Sequence, residues 1–255
     1  MIRLETRALT LAAGNRVLCR DLSIQFRAGE NWAILGANGS GKTTLLHTLA
    51  GLHPPHAGSL TLDGAELRTW PARQRALRIG LLFQDYPPAF PTTALELVLT
   101  GRHPHLGRWA FEGEDDIGCA REALAQMALE SFDDRLLSTL SGGERRRVEV
   151  AALLAQDAPI CLWDEPTNHL DLRYRTQVLR RLCARRSRPG HLNLFVLHDV
   201  NVAWQLCDRA LLLLPDGSTS AGPIPEIITP SLLERVYGCD FRELTSGSER
   251  YYVPR

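Results

Sequence analysis

Short apolar runs recur along the chain, and between them apolar residues return every three or four positions. The runs 31–35, 79–83, 160–163, 192–197 and 210–214 have the length and composition of strands buried on both faces. Helical spacing marks 42–50, where Leu45, Leu46 and Leu49 share a face and Gly51 is the stop. It also marks 172–186 and 230–237. The first 35 residues otherwise read as strands joined by turns, one of them Arg27-Ala28-Gly29-Glu30. From 94 to 155 the spacing is helical, with one polar break at 102–116, and the tail ends in a polar, strand-like segment. Strands alternating with helices in the first and last thirds predict a parallel sheet with crossover helices. The helix-only middle predicts an inserted subdomain. The expected organisation is an α/β core over 1–86 and 156–222, a helical insert over 87–155 and a C-terminal extension over 223–255. Three prolines make the stretch after Gln84, up to Pro91, a connector.

At 255 residues, 44% hydrophobic and 23% charged, the chain has the makeup of a soluble globular protein with a large core. Its 29 basic and 29 acidic residues balance, which argues against a nucleic-acid binder relying on bulk charge. No apolar run approaches the ~20 residues of a membrane span, and Met1–Arg7 lacks the apolar stretch of a signal peptide. The six cysteines are scattered with no C-x-x-C pair, so reduced thiols are expected rather than a disulfide framework or a zinc site. The arginine cluster 180–188 reads as a solvated helix face. Of the 29 basic residues only Lys42 is a lysine.

Three motifs carry chemistry. Gly36-Ala37-Asn38-Gly39-Ser40-Gly41-Lys42-Thr43 lies between a strand and a helix. Glycines at 36, 39 and 41 let backbone N–H groups converge on a phosphate chain, and the helix turns its positive dipole end toward the anion. Lys42 supplies an ammonium for the outer phosphates and Thr43 a hydroxyl for Mg²⁺. In the second motif, the strand 160–163 runs into Asp164-Glu165-Pro166. This places Asp164 at the carboxyl edge of the sheet to hold magnesium through water, with Glu165 free to polarise an attacking water. In the third, Leu140-Ser141-Gly142-Gly143-Glu144 opens a helix. Ser141 and Glu144 fit a capping box, and Ser141 with the following glycine amides also fits a second phosphate site; the two readings are compatible.

With Gln84 at a strand end, Asn168-His169-Leu170-Asp171 after the acidic pair, and His198 after another strand, the ordered set resembles the nucleotide-binding subunit of ABC (ATP-binding cassette) transporters over essentially the whole chain. The resemblance implies a P-loop NTPase (RecA-like) α/β core with an N-terminal antiparallel β subdomain and an inserted helical subdomain. It implies a homodimer that sandwiches two ATP and Mg²⁺. Gly36, Asn38, Gly39, Ser40, Gly41, Lys42, Thr43 and Thr44 would then bind nucleotide in one subunit, and Ser141 and Gly143 would clamp the γ-phosphate from the other. Glu165 would be the general base, His198 would orient the water, and Gln84 would touch metal and water. Asp164 would join Thr43 and Gln84 around the metal, and Asp171 would connect the two sites.

Two departures stand out. Leu11–Arg16, where the family places an adenine-stacking aromatic, has none, leaving either the Arg16 guanidinium plane or a loosely held base. Trp163 replaces the usual aliphatic and is expected in the core. Thr100-Gly-Arg-His-Pro-His-Leu-Gly107 and the tail 227–240 resemble importers of iron-siderophores, haem and vitamin B12. That implies integral-membrane permease subunits, a binding protein outside the cell, no nucleic acid, and the cytoplasmic face of a bacterial plasma membrane. The insert would dock a short permease helix. Two rivals share parts of the pattern. Ribosome-associated ABC ATPases share 165–171 but carry two cassettes and a charged linker, and a P-loop kinase has no use for Leu140–Glu144.

Overall fold

The computed structural model describes residues 3–84, 90–107, 109–168, 170–186, 190–246 and 249–255. Residues 85–89 of the proline-rich connector, His169, and residues 187–188 at the end of the arginine cluster lie outside them. The chain divides into two compact units, 1–70 with 188–255 and 71–187.

The first unit opens with the hairpin β1 (Arg3–Ala13) and β2 (Arg16–Arg27), turned at Gly14, whose φ of 56° suits a two-residue hairpin loop. Next come β3 (Asn31–Gly36), buried at every position, and α1 (Lys42–Leu49). β4 (Ala57–Leu62) and β5 (Ala65–Glu66) complete this stretch, β4 pairing antiparallel with β1. The result is the antiparallel sheet β2-β1-β4-β5. β4 has only two buried positions, so no apolar run announced it.

The second unit contains α2 (Ala72–Ala76), β6 (Ile79–Leu82), α3 (Ala94–Thr100), α4 (Glu114–Gln126), α5 (Gly142–Gln156), β7 (Ile160–Asp164) and α6 (Leu172–Arg186). β6 and β7 are parallel, in register at Leu82 and Trp163, and Trp163 is fully buried as core. Thr93 and Glu96 cap α3 reciprocally. The expected polar break is knitted to the end of α5. Arg102 Nη1 donates to Ala155 O at 2.9 Å and its Nε to Asp116 at 3.0 Å, while His105 Nε2 donates to Gln156 O at 2.8 Å. Gly101 permits this approach, since a Cβ there would sit 2.3 Å from Ala152 O. A second break, 127–141, interrupts the helical spacing expected ahead of the helix that Leu140–Glu144 opens. Ala128 takes a left-handed φ of 54°, and Leu129, Phe132 and Leu136 keep helix-like spacing in a chain that turns instead.

The chain then returns to the first unit with β8 (Leu192–Val196), α7 (Val200–Leu206), β9 (Arg209–Leu213), β10 (Thr219–Pro223), α8 (Ile224–Ile227), α9 (Pro230–Tyr237), β11 (Phe241–Ser246) and β12 (Glu249–Pro254). β3 lies between β8 and β9, parallel to both, and β10 adds antiparallel to β9. Phe26 and Trp32 meet edge to face at 5.0 Å in this unit's core.

Candidate functional site

In the first unit the loop after β3 builds an anion cradle. Gly39 and Gly41 have φ of 72° and 98°, a conformation that turns backbone N–H groups inward at no side-chain cost. Gly36 admits no side chain, because a Cβ would lie 2.4 Å from Ser40 Oγ. Gly41 begins α1 without a side-chain cap, and no acid occupies the first turn, so the helix dipole faces the loop unopposed. Lys42 is 6% exposed; its Nζ donates to Gly36 O at 2.8 Å and Ala37 O at 3.1 Å. Ser40 is buried, and among the described residues its hydroxyl has no hydrogen-bond partner. An orphaned hydroxyl inside a ring of amides with one ammonium fits a polyphosphate. Asn38 is exposed, and Thr43 and Thr44 are half-buried on the first turn of α1.

His198 shares this sheet edge. Gly36 and His198 each lie two residues past the Ile34–Val196 pair of neighbouring parallel strands, and the His198 side chain is exposed. Tyr237 of α9, unforeseen from the sequence, is half-buried beside the Gly36 backbone and Asp199, and desolvation of its hydroxyl raises the phenol to about 12.

The second unit repeats that geometry with different chemistry. Gln84 and Glu165 each lie two residues past the Leu82–Trp163 pair. Asp164 ends β7 fully buried. Glu165 is 6% exposed and holds a left-handed φ of 48°, the kind of strained non-glycine backbone that concentrates at active sites. Its Oε2 accepts from Gln84 Nε2 at 3.5 Å and from Asn168 Nδ2, while Asn168 N–H closes the turn onto Glu165 O at 3.2 Å. Asn168, named in the sequence only as part of its motif, had been given no role; its position three residues after Glu165 is the turn spacing that offered a clue.

Ser141 caps α5. Its hydroxyl accepts from Glu144 N–H at 3.3 Å, while its own N–H and hydroxyl donate to Glu144 Oε2 at 2.8 and 2.9 Å. The capping box is therefore formed, with Gly143 in the first turn. Asp171 Oδ1 accepts from Tyr174 N–H at 3.0 Å at the start of α6. The first unit thus brings 36–44 and His198 to one sheet edge, and the second brings Gln84 against Glu165 next to Asp164; Ser141 with Gly143, and Asp171, stand apart at the starts of α5 and α6.

The Ser141 backbone N–H, then its hydroxyl, holds the Glu144 carboxyl below the usual carboxylate range, against a smaller opposing effect of burial. Its folded value is below its unfolded one. The capping box therefore stabilises above the ordinary carboxylate range and loses that contribution as pH falls through the folded value. Thermal melts from neutral to about pH 3 should show the gap between wild type and Glu144→Gln closing as acid is added. A gap independent of pH would clear Glu144 of that role.

These features define a nucleotide phosphate site of the P-loop class. A family model described as ABC transporter matches residues 19–168, and the chain belongs to that family as its ATP-binding, ATP-hydrolysing subunit. It is 39% identical to the hemin import ATP-binding protein HmuV of Streptomyces coelicolor, over 90% of this chain and 81% of that one. It is 36% identical to the ferric enterobactin transport ATP-binding protein FepC of Escherichia coli, over 92% and 87%. Among solved structures, an inward-facing metal-chelate-type ABC transporter matches with a TM-score of 0.85 at 26% identity, covering 100% of this chain and 98% of that one. The fold is accordingly the ABC ATPase fold: a parallel central sheet with an N-terminal antiparallel β subdomain and a helical subdomain. No helix among the described residues is long and apolar enough to cross a membrane.

Proposed function

We propose that this chain hydrolyses Mg-ATP as one half of a homodimer. In this reading it powers uptake of an iron-siderophore, haem or cobalamin through a separate bacterial permease, fed by a binding protein outside the cell. The chain works at the cytoplasmic face of the plasma membrane. The observation that carries the importer reading is likeness along nine-tenths of the chain to the hemin and ferric enterobactin import proteins.

Hydrolysis depends mostly on positioning and charge neutralisation. The 36–44 loop binds the phosphates through its amides, with Lys42 on the outer ones. Glu165 takes a proton from water as the water oxygen bonds the γ-phosphorus and the bond to ADP breaks. Gln84 and His198 orient that water. Ser141 and Gly143 close on the γ-phosphate from the second copy, which makes hydrolysis conditional on closure. Thr43, Asp164 and Gln84 offer the hard oxygen donors that suit Mg²⁺, an ion that keeps water and phosphate as its other ligands. Mg²⁺ supplies charge neutralisation when bound. Among the described residues no cluster of three or more His, Cys, Asp or Glu side chains competes as a metal site.

For the permease, the second unit offers a cavity of about 220 Å³ whose walls include Leu81, Phe83, Leu97, Thr100, Ala152 and Leu153. Its mostly apolar lining fits the apolar face of a short helix. Thr100 is exposed at its edge, so Thr100→Trp fills the cavity without touching the core. Wild-type protein is expected to purify from membranes with a multi-span protein, and its turnover to rise when that complex is reconstituted with loaded binding protein. Thr100→Trp should lose both properties and keep the turnover of the isolated subunit. Purification with ribosomes instead of membranes would overturn the importer reading.

A further inference from the structure

Arg146 is the middle member of Arg145-Arg146-Arg147, a run with every appearance of a solvated helix face. It is nevertheless 3% exposed. Its Nη1 donates to Phe83 O at 2.6 Å, to Gln84 O at 3.4 Å and to Glu149 Oε2 at 2.8 Å. Its Nη2 donates to Asp164 O and, at 3.0 Å, to Glu165 O. One guanidinium thus bridges the ends of β6 and β7, at the residues that present Gln84 and Glu165.

Stability alone is a poor reason for this arrangement, because a buried ion pair often contributes no more than well-packed apolar groups would. A planar fork does something apolar groups cannot do: it fixes the separation and angle of the groups it joins. Here those groups are the backbones on either side of the Gln84–Glu165 contact. Glu149, whose side chain is 11% exposed, neutralises the fork and sets its orientation one helical turn further along α5.

We propose that Arg146, oriented by Glu149, is a positioning residue for ATP hydrolysis: it holds the two strand ends so that Glu165 and Gln84 meet the attacking water together. This rests on Glu165 being the general base. Loss of the fork moves the base without removing it, and displacements near 1 Å cost about 10²-fold in rate. Arg146→Gln is therefore expected to lower kcat about 10²-fold and leave the KM for ATP unchanged. Arg146→Lys keeps the charge and loses the fork, and should stay nearly as slow. Glu149→Gln should fall between these and wild type.

Val150→Ala, at a fully buried position of the same helix, controls for lost stability. It should lower the unfolding midpoint and spare kcat. In a Glu165→Gln background, single-turnover assays should show no further loss on adding Arg146→Gln. A wild-type rate in Arg146→Lys, a loss appearing in KM alone, or an equal kcat loss in Val150→Ala would each overturn the proposal. Full activity in Glu165→Gln by itself would remove the general-base reading, and the Arg146 and Val150 comparisons would still report on positioning.

Discussion

Glu165→Gln is expected to slow ATP turnover by about 10²–10⁴-fold, the range for removal of a general base, while ATP still binds. The substitution is nearly isosteric. The two donors that approach Glu165 Oε2, from Gln84 and Asn168, find an amide oxygen in the same place. The left-handed backbone at 165 is no harder for glutamine than for glutamate. The turn therefore survives, and only the capacity to take a proton from water is lost. If closure of two copies precedes hydrolysis, the variant accumulates in the closed form. Size-exclusion chromatography should show a dimer in Mg-ATP that wild type forms only transiently, and phosphate release should report the rate. Turnover at the wild-type rate would remove Glu165 from the proton-transfer role.

The parts of this site that the sequence disclosed are local ones. A strand, a glycine turn and a helix N-terminus follow one another within 31–49, so loop and function are written in consecutive residues. The same holds for β7 and its two acids, and for the Ser141–Glu144 cap. What stayed hidden depends on distant chain segments. Arg146 drew no role from the sequence, standing between two other arginines, yet Val150 and Leu153 lie four and seven positions on, along the buried face of α5. That periodicity was the available signal. Its partners, the carbonyls of Phe83, Gln84, Asp164 and Glu165, carry no side-chain mark at all. Likewise, the motif at 100–107 was legible as a group marker but not as the clasp on the end of α5, since Arg102 and His105 act on the carbonyls of Ala155 and Gln156. β4 and β10 escaped because strands with few buried positions leave no apolar run.

The lysine bias of the chain gives the second large prediction. Arginine serves at 28 of the 29 basic positions, and Lys42 is the exception. Where a positive charge sits in water, either residue suffices. Lys42 is buried, with its ammonium within 3.1 Å of the carbonyls of Gly36 and Ala37, inside the loop it must neutralise when phosphate binds. That loop has no slack on the Gly36 side, where even a Cβ would strike Ser40 Oγ. A guanidinium is planar and wide, and its donors point along a fixed fork rather than rotating about a single nitrogen. It would part the loop or withdraw from it, and in either place it no longer meets the outer phosphates. Lys42→Arg, which conserves charge, is therefore expected to lower turnover by at least about 10²-fold, as loss of a preorganised donor to the transferring group does, and to weaken ATP binding with it. Phosphate release and titration with a fluorescent ATP analogue measure the two effects, and a thermal melt verifies that the fold is retained. If Lys42→Arg turns over normally, the single lysine reflects codon usage and the tight-loop argument fails.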